Sequence, residues 1–283
     1  MSKRDHGRRR DPAATVPDMP QGLDLKQDCV EMRPVVRCLH HLACTGGTLI
    51  SRCIGAMPNL RLLSEVDPLS HMADGLAFAP TDLIRLARFG SPPAQDALTI
   101  RLFLAGLDVL VDDAGQTGLH LVLRDHSHSK FCFGLLDLAR PSLRAVLTQR
   151  FTHVGVVTLR HPLDSFLGLT SNNWQQFQPF TLNEYARRYD AFVNEHHDLP
   201  MFRYEDFVAT PDAELQRICA ALGLAFDPGF RETLPTIRLS GDSGRSSSLI
   251  AERPRRTIPD EVKADRGSDG PYRHLCARLG YAP

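Results

Sequence analysis

VVRCLHHLACTGGTLISRCIGAMP, residues 35–58, decides the fold class. Val35, Val36 and Leu39 open a short apolar run that ends at His40 and His41. A turn rich in glycine and threonine follows, Cys44-Thr45-Gly46-Gly47-Thr48. Leu49, Ile50, Cys53, Ile54 and Met57 then recur at helical spacing until Pro58. Strand, glycine turn and helix form the opening of an α/β unit. Such a turn suits an anion: glycines let the backbone approach closely, and free N–H groups with the helix dipole favour negative charge. Thr48 can cap the helix or reach a phosphate oxygen. The turn lacks the Lys-[Ser/Thr] ending of a nucleotide triphosphatase loop, which speaks against an ATP or GTP enzyme. Taken alone it also fits a tight connection with no ligand.

The same alternation continues outward. Leu60 to Leu63 is a second apolar run, leading into Ser64-Glu65-Val66-Asp67-Pro68. Residues 80–111 read as helical, with a breaker at Gly90-Ser91-Pro92-Pro93. Leu119 to Leu123 and Leu199 to Tyr204 are further candidate strands. Val154 to Leu159 is almost continuously apolar, as a central strand covered on both faces should be. Thr210 as N-cap, Pro211 at the first position and Asp212 and Glu214 in the first turn predict a helix. Its stripe is Leu215, Ile218, Cys219 and Leu222, and Gly223 ends it. The expected fold is α/β, a three-layer sandwich around a mostly parallel central sheet. Residues 1–33 carry Lys3, Arg4 and Arg8 to Arg10, then Pro12, Pro17 and Pro20. They read as a disordered basic, proline-rich tail ahead of one domain at 34–283.

Composition narrows the function. With 33 basic and 33 acidic side chains the formal net charge is zero, which speaks against a nucleic-acid binder and makes any anion site local. Seven cysteines without a CxxC pair fit neither a disulfide framework nor a zinc site, so reduced thiols in a cytoplasmic protein are expected. No apolar run approaches the roughly 20 residues of a membrane span, and the N-terminus lacks a signal-like apolar stretch. The twelve histidines show no ligand spacing, Asp125-His126-Ser127-His128 being too short a cue, and no metal is expected.

Four segments, in order, resemble the sulfotransferases that use 3′-phosphoadenosine-5′-phosphosulfate (PAPS). HHLACTGGTLISRCIGAMPNLRLLSEVDPL, residues 40–69, is similar to their 5′-phosphosulfate loop. LRHPLDSFLGL, 159–169, is similar to the element that grips the 3′-phosphate. RYEDFVATPDAELQRICAALGL, 203–224, is similar to their Tyr-Glu-Asp segment and following helix. LSGDSGRSSSLIAERPRR, 239–256, is similar to the late loop that closes on the 3′-phosphate. The resemblance implies a P-loop-like sulfotransferase fold. It also implies transfer of a sulfuryl group from PAPS to a hydroxyl or amine of a small-molecule, carbohydrate or peptide acceptor, without a metal.

On the matching positions, the resemblance implies that Thr45, Gly46, Gly47, Thr48 and Leu49 hold the 5′ end. Arg160, Gly244 and Arg245 would hold the 3′-phosphate, with Ser165, Thr170, Ser171 or backbone amides standing in for the family's serine, and Tyr204 would lie near the adenine. Arg160 follows a strand's C-terminal end, where ligands of open α/β sheets bind; its bland alternative is a pair with Asp164. Arg253, Arg255 and Arg256 add positive charge. Glu65 and His126 are the two candidate bases, Glu65 favoured, and Arg124 and His41 are candidates for steadying charge on the sulfuryl group. Two positions depart from the family: Thr45 stands where a lysine or arginine is usual, and Gly168 where a serine is usual. His41, Arg52 or Arg124 must then replace the loop cation. Residues 71–118 and 172–198 are the expected acceptor walls, with Trp174, Phe177, Phe180 and Tyr185 as stacking surfaces or core, and Asn172, Asn173 and Gln175 as polar contacts. Two alternatives stay open: a catalytically silent PAP(S)-binding protein, motivated by Thr45 and Gly168, and a nucleotide-dependent phosphotransferase on the same type of fold.

Overall fold

The first apolar run forms strand β1 (Val35–His41), and the glycine turn leads directly into helix α1 (Gly47–Gly55). The protein is described here from a computed structural model, which covers residues 33–72, 79–241 and 249–283. The basic tail and the Gly244 and Arg245 positions therefore lie outside the described residues. Gly46 caps α1 in the left-handed region, at φ 91°, which a glycine adopts without a Cβ penalty. The α1 stripe, Leu49, Ile50, Cys53 and Ile54, is fully buried, each leucine or isoleucine contributing about 1.5–3 kcal/mol of apolar burial. The helix ends at Gly55, one turn short of Pro58, because Ala56 and Met57 close it with N–H groups on Arg52, Cys53 and Ile54 carbonyls.

The remaining strands are β2 (Leu60–Val66), β3 (His120–Asp125), β4 (Thr152–Leu159) and β5 (Met201–Arg203). They form one sheet in the order β2-β3-β1-β4-β5, and every pairing is parallel. Parallel neighbours need crossovers, and these are helical. Among them are α2 (Leu83–Arg88), α3 (Asp96–Gln116), α4 (His128–Phe131) and α5 (Leu143–Leu147). After β4 come α6 (Pro162–Ser171) and α7 (Leu182–Glu195), and after β5 come α8 (Tyr204–Ala209) and α9 (Pro211–Leu222). The chain closes with α10 (Phe230–Thr233), α11 (Asp260–Gly267) and α12 (Pro271–Leu279).

Two-residue periodicity divides the sheet between the layers. Leu39, Val122 and Val156 pack with α1, α8 and α9 on one face. Val36, Cys38, Leu121 and Leu123 pack with α3 and α5 on the other, while Val157 and Leu159 pack with α6, α7 and α12. α9 ends at Gly223, φ 62°, as its sequence predicts. Its start differs from expectation: the Thr210 hydroxyl donates to the Asp206 carbonyl of α8 and makes no cap on α9. Residues 182–195 are likewise no acceptor wall. They form a helix whose Tyr185, Tyr189 and Phe192 are buried in the core, and Phe177 is buried with them. Among the described residues no helix is long and apolar enough to cross a membrane.

Because the strands are parallel, all five deliver their C-terminal ends to one edge. His41 ends β1, Glu65 lies at the end of β2, Arg124 at the end of β3, Arg160 just beyond β4 and Tyr204 just beyond β5.

Candidate active site

That edge opens into a cleft of about 490 Å³. The first loop, Glu65, Arg124, His126, Arg160, Tyr204, Arg253 and Arg256 all line it. Tyr204 joins its two halves. A Cβ on Gly46 would sit 2.2 Å from Tyr204 Cδ2, so the ring lies flat against the loop backbone where only glycine fits. The Arg160 guanidinium stacks over the same ring at 4.7 Å and reaches the Cys44 carbonyl with Nη1 at 3.4 Å. The glycine loop and Arg160 therefore face one cleft. Asp164 does not compete for Arg160, since it is held by Arg255 through two hydrogen bonds of 2.8 and 3.1 Å. Glu205, next to Tyr204, fastens the start of α6: it accepts from the His161 N–H and the Tyr281 hydroxyl, each at 2.9 Å.

At the β2–β3 end, Arg124 is buried and its fork distributes over four groups. Nε donates to His41 Nε2 at 2.9 Å, Nη1 to Ser64 Oγ at 2.9 Å and Nη2 to Thr48 Oγ1 at 2.9 Å. Nη2 also lies 2.6 Å from Glu65 Oε1. His41 accepts from Arg124 through one nitrogen and faces the Leu42 carbonyl with the other at 3.1 Å, an arrangement only the neutral ring can make. Burial and the neighbouring guanidinium hold its pKa well below the usual histidine value. His41 is thus an uncharged brace for Arg124, not a cation. Arg52 is turned away, buried with Nη2 on the Leu234 carbonyl. Of the three residues expected to replace the loop cation, Arg124 alone brings a guanidinium to the cleft.

Glu65 sits in the left-handed region, φ 60°, at a register shift between Leu63 and Val66. A bulge re-aims the side chain, and positive φ in a non-glycine residue is strain of order 1–3 kcal/mol that the surroundings must hold. Here a late segment does so. Ser64 and Ser240 exchange two hydrogen bonds, Ser64 Oγ to the Ser240 carbonyl at 3.0 Å and Ser240 Oγ to the Ser64 carbonyl at 2.9 Å. Gly241, φ 64°, then lies so close that a Cβ on it would be 2.2 Å from Glu65 Cγ. Burial raises the Glu65 pKa, with Arg124 opposing. His126 Nε2 is 3.6 Å from Glu65 Oε2, and burial followed by His128 lowers the His126 pKa, so the ring is neutral near neutrality. His128 faces Gln176 Oε1 at 2.6 Å and stands edge-on to Trp174.

Several expected contacts fall elsewhere. The Thr45 hydroxyl turns back to the Leu42 carbonyl at 2.7 Å, buried behind the loop. Ser165 is buried inside α6, and the Thr170 and Ser171 hydroxyls cap carbonyls of Phe166 and Gly168 in their own helix. None of these presents a hydroxyl to the cleft. The family's serine position, Gly168, is glycine for a steric reason: a Cβ there would lie 2.8 Å from Cys44 Cβ, while Arg256 Nη1 approaches to 3.8 Å. Cys44, itself at φ 62°, occupies that space, and Asn172 Nδ2 contacts its sulfur at 3.6 Å. Arg160 and Arg256 thus bring positive charge beside Cys44 and Gly168 without a serine, and Arg253 also lines the cleft. Of the expected acceptor walls, Met72 lines the cleft from 71–118, and Asn172, Trp174 and Gln176 from 172–198; Asn173 and Gln175 do not. Ser64, Ser240 and Cys44 carry no motif of their own that marks them in the sequence.

A model of the sulfotransferase family matches residues 154–228, the segment from β4 through α9. Among solved structures, the sulfotransferase domain from the curacin biosynthetic pathway is similar at 15% identity and TM-score 0.54, over 89% of this chain and 99% of that one. A sulfotransferase from Alicyclobacillus acidocaldarius matches at 13% identity and TM-score 0.39, over 71% of this chain and 89% of that one. The mouse sulfotransferase SULT7A1 complexed with PAP matches at 12% identity and TM-score 0.38, over 89% of this chain and 80% of that one. No curated protein matches. The first of these structures carries the comparison of folds. In fold this chain is like that sulfotransferase domain, and its 154–228 segment matches the sulfotransferase family model.

Proposed function

We propose that the protein transfers a sulfuryl group from PAPS to a hydroxyl or amine acceptor. The observation that carries this reading is the pair of cationic ends facing one cleft: loop amides, Thr48 and Arg124 at one, and Arg160, Arg253 and Arg256 at the other, bridged by Tyr204. A nucleoside with phosphate at both its 5′ and 3′ sides is the ligand such spacing suits. Arginine forks bind these groups through charge-assisted hydrogen bonds. ATP would leave the second end without a partner.

In the proposed step, the acceptor oxygen or nitrogen attacks sulfur as the bond between sulfur and the bridging phosphate oxygen breaks. Glu65 takes the acceptor proton, with His126 beside it, and the electron pair leaves on the 5′-phosphate of PAP. Arg124 and the N–H groups at the start of α1 steady that negative charge in a site arranged in advance, where donors aimed at developing charge act most strongly. This chemistry asks for no metal.

Thr45 favours a second reading, a silent PAP(S) binder, because its hydroxyl is spent on Leu42 and no lysine rises from the loop. Calorimetric titration with PAP and with ATP, followed by a PAP-release assay over an acceptor panel, separates the readings. Tight PAP binding with turnover supports transfer. Tight PAP binding with no turnover on any acceptor leaves the silent reading, and preference for ATP rejects both.

A further inference from the structure

On the face of β1 away from α1 lies a cluster the proposed transfer does not use. Cys38 and His40 are two residues apart in the strand and so point the same way. Across the ladder, Val36 pairs with His153 and Cys38 with Gly155. Gly155 makes the cluster possible: a Cβ there would sit 2.6 Å from His153 Cε1, so the imidazole lies over the bare backbone and reaches β1. The ring nitrogens His40 Nε2 and His153 Nε2 are 3.0 Å apart, and with Cys38 Sγ the three donor atoms all lie within 4.8 Å of one another.

We propose that Cys38, His40 and His153 form a binding site for a borderline-soft divalent cation of the zinc class, which ties β1 to β4 beneath the nucleotide loop. Three features support it. Zn–N bonds of about 2.0–2.1 Å in a tetrahedral site place two nitrogens about 3.4 Å apart, so a small parting of the two rings from 3.0 Å admits the ion. The other nitrogen of His40 bonds Asp125 Oδ2 at 2.7 Å, and Ser127 Oγ donates to the same oxygen at 2.8 Å. A carboxylate behind a histidine fixes the tautomer and aims its lone pair, the usual support for a metal-bound imidazole. His196 packs on the His40 ring at 4.4 Å between centroids. A thiolate on Cys38 and the Asp125 carboxylate together balance a dication, and the neighbouring Arg144 is neutralised by two contacts of 2.6 Å to Asp198. One sulfur and two imidazoles suit zinc or cobalt and not magnesium or calcium. His153 is half-buried, so an ion can enter, whereas Cys38 and His40 are fully enclosed.

A plain hydrogen bond between His40 and His153 is the competing account, and metal titration separates the two. The full-length chain, stripped with chelator and dialysed, is titrated with Co²⁺ and then with Zn²⁺. The expected result is one Co²⁺ per chain, with tetrahedral d–d bands and a thiolate-to-cobalt charge-transfer band that Zn²⁺ abolishes. Cys38→Ser should remove the charge-transfer band, and His153→Ala should weaken cobalt binding tenfold or more. Asp125→Asn should weaken it by about 10–100-fold, as changes behind a ligand do. A cooperative melt shows that each variant is folded. Failure of the wild-type chain to hold stoichiometric Co²⁺ or Zn²⁺ overturns the proposal without reference to any variant. So does undiminished binding by folded His153→Ala, or loss of binding in His196→Ala with His153→Ala unaffected, which would move the ion to the His40, Asp125 and His196 group.

Discussion

Glu65 and Arg124 face each other at 2.6 Å, and their closeness sets what each substitution should do. A base that must be ionised loses activity as pH falls through its pKa. Burial moves the Glu65 pKa upward, so the acid limb of kcat/KM should lie above the ordinary glutamate range. Glu65→Gln should lower kcat by about 10²–10⁴ while PAP still binds in calorimetry, since the role proposed for the carboxylate is toward the acceptor. His126→Ala should cost less; a larger loss there than in Glu65→Gln would transfer the role of base to the histidine. Arg124→Ala should lower kcat by roughly 10²–10³, the usual loss when a donor to developing charge is removed. A second residue-scale prediction concerns Gly168. Restoring the family's serine looks favourable on sequence, yet its Cβ would meet Cys44 Cβ at 2.8 Å. Gly168→Ser should therefore weaken PAP binding in calorimetry. The double variant Cys44→Gly with Gly168→Ser should recover it, because glycine at φ 62° removes both the clash and the left-handed strain. If the single variant binds PAP more tightly, the steric account is wrong.

Among the elements, the segment at Ser240 and Gly241 acts on chemistry from a distance in sequence. It makes the reciprocal pair with Ser64 and lies against Glu65, while residues further along the chain, Arg253 and Arg256, line the same cleft. Gly241→Ala puts a methyl 2.2 Å from Glu65 Cγ and strains a backbone at φ 64°. Displacement of a reacting group by about 1 Å costs on the order of 10²-fold in rate. The expected outcome is a kcat loss of that size with PAP affinity little changed, read by turnover and calorimetry on the same sample. Such pairings explain what could be read from the sequence and what could not. Strands β1 to β5 and helix α9 announce themselves through apolar runs, breakers and the closing Gly223, signals that act locally. The left-handed Glu65, the Ser64–Ser240 exchange, the Cys44–Gly168 fit and the Cys38, His40 and His153 group arise from segments brought together by parallel pairing, so spacing along the chain carries no trace of them. Thr45 shows the other limit. Its side chain type permits a phosphate contact, but a carbonyl three residues earlier takes its hydroxyl.

At the level of the whole molecule, the cleft is built by segments far apart in sequence: the loop after β1, the ends of β2 and β3, the start of α6, Tyr204 on α8 and the arginines at 253 and 256. Clustered guanidiniums repel one another, so the native state carries a local electrostatic cost that a doubly phosphorylated ligand removes. A ligand that binds only the folded chain stabilises it by RT ln(1 + [L]/Kd), about 2.7 kcal/mol at a hundredfold excess over Kd. For a domain of this size each kcal/mol raises Tm by about 2–4 °C. PAP at that excess should thus raise Tm by roughly 5–10 °C. On the proposed function, ATP and adenosine 5′-phosphosulfate would occupy the loop but lack the 3′-phosphate for Arg160, Arg253 and Arg256. At equal concentration each should give a much smaller shift, and Arg256→Ala should bring the PAP shift down toward theirs. Raising the ionic strength should shrink the difference, because screening weakens contacts between partly exposed charges. Equal shifts with PAP and ATP would mean that the arginine end does not read a 3′-phosphate, and the pairing of the two ends across Tyr204 would then have to serve some other ligand.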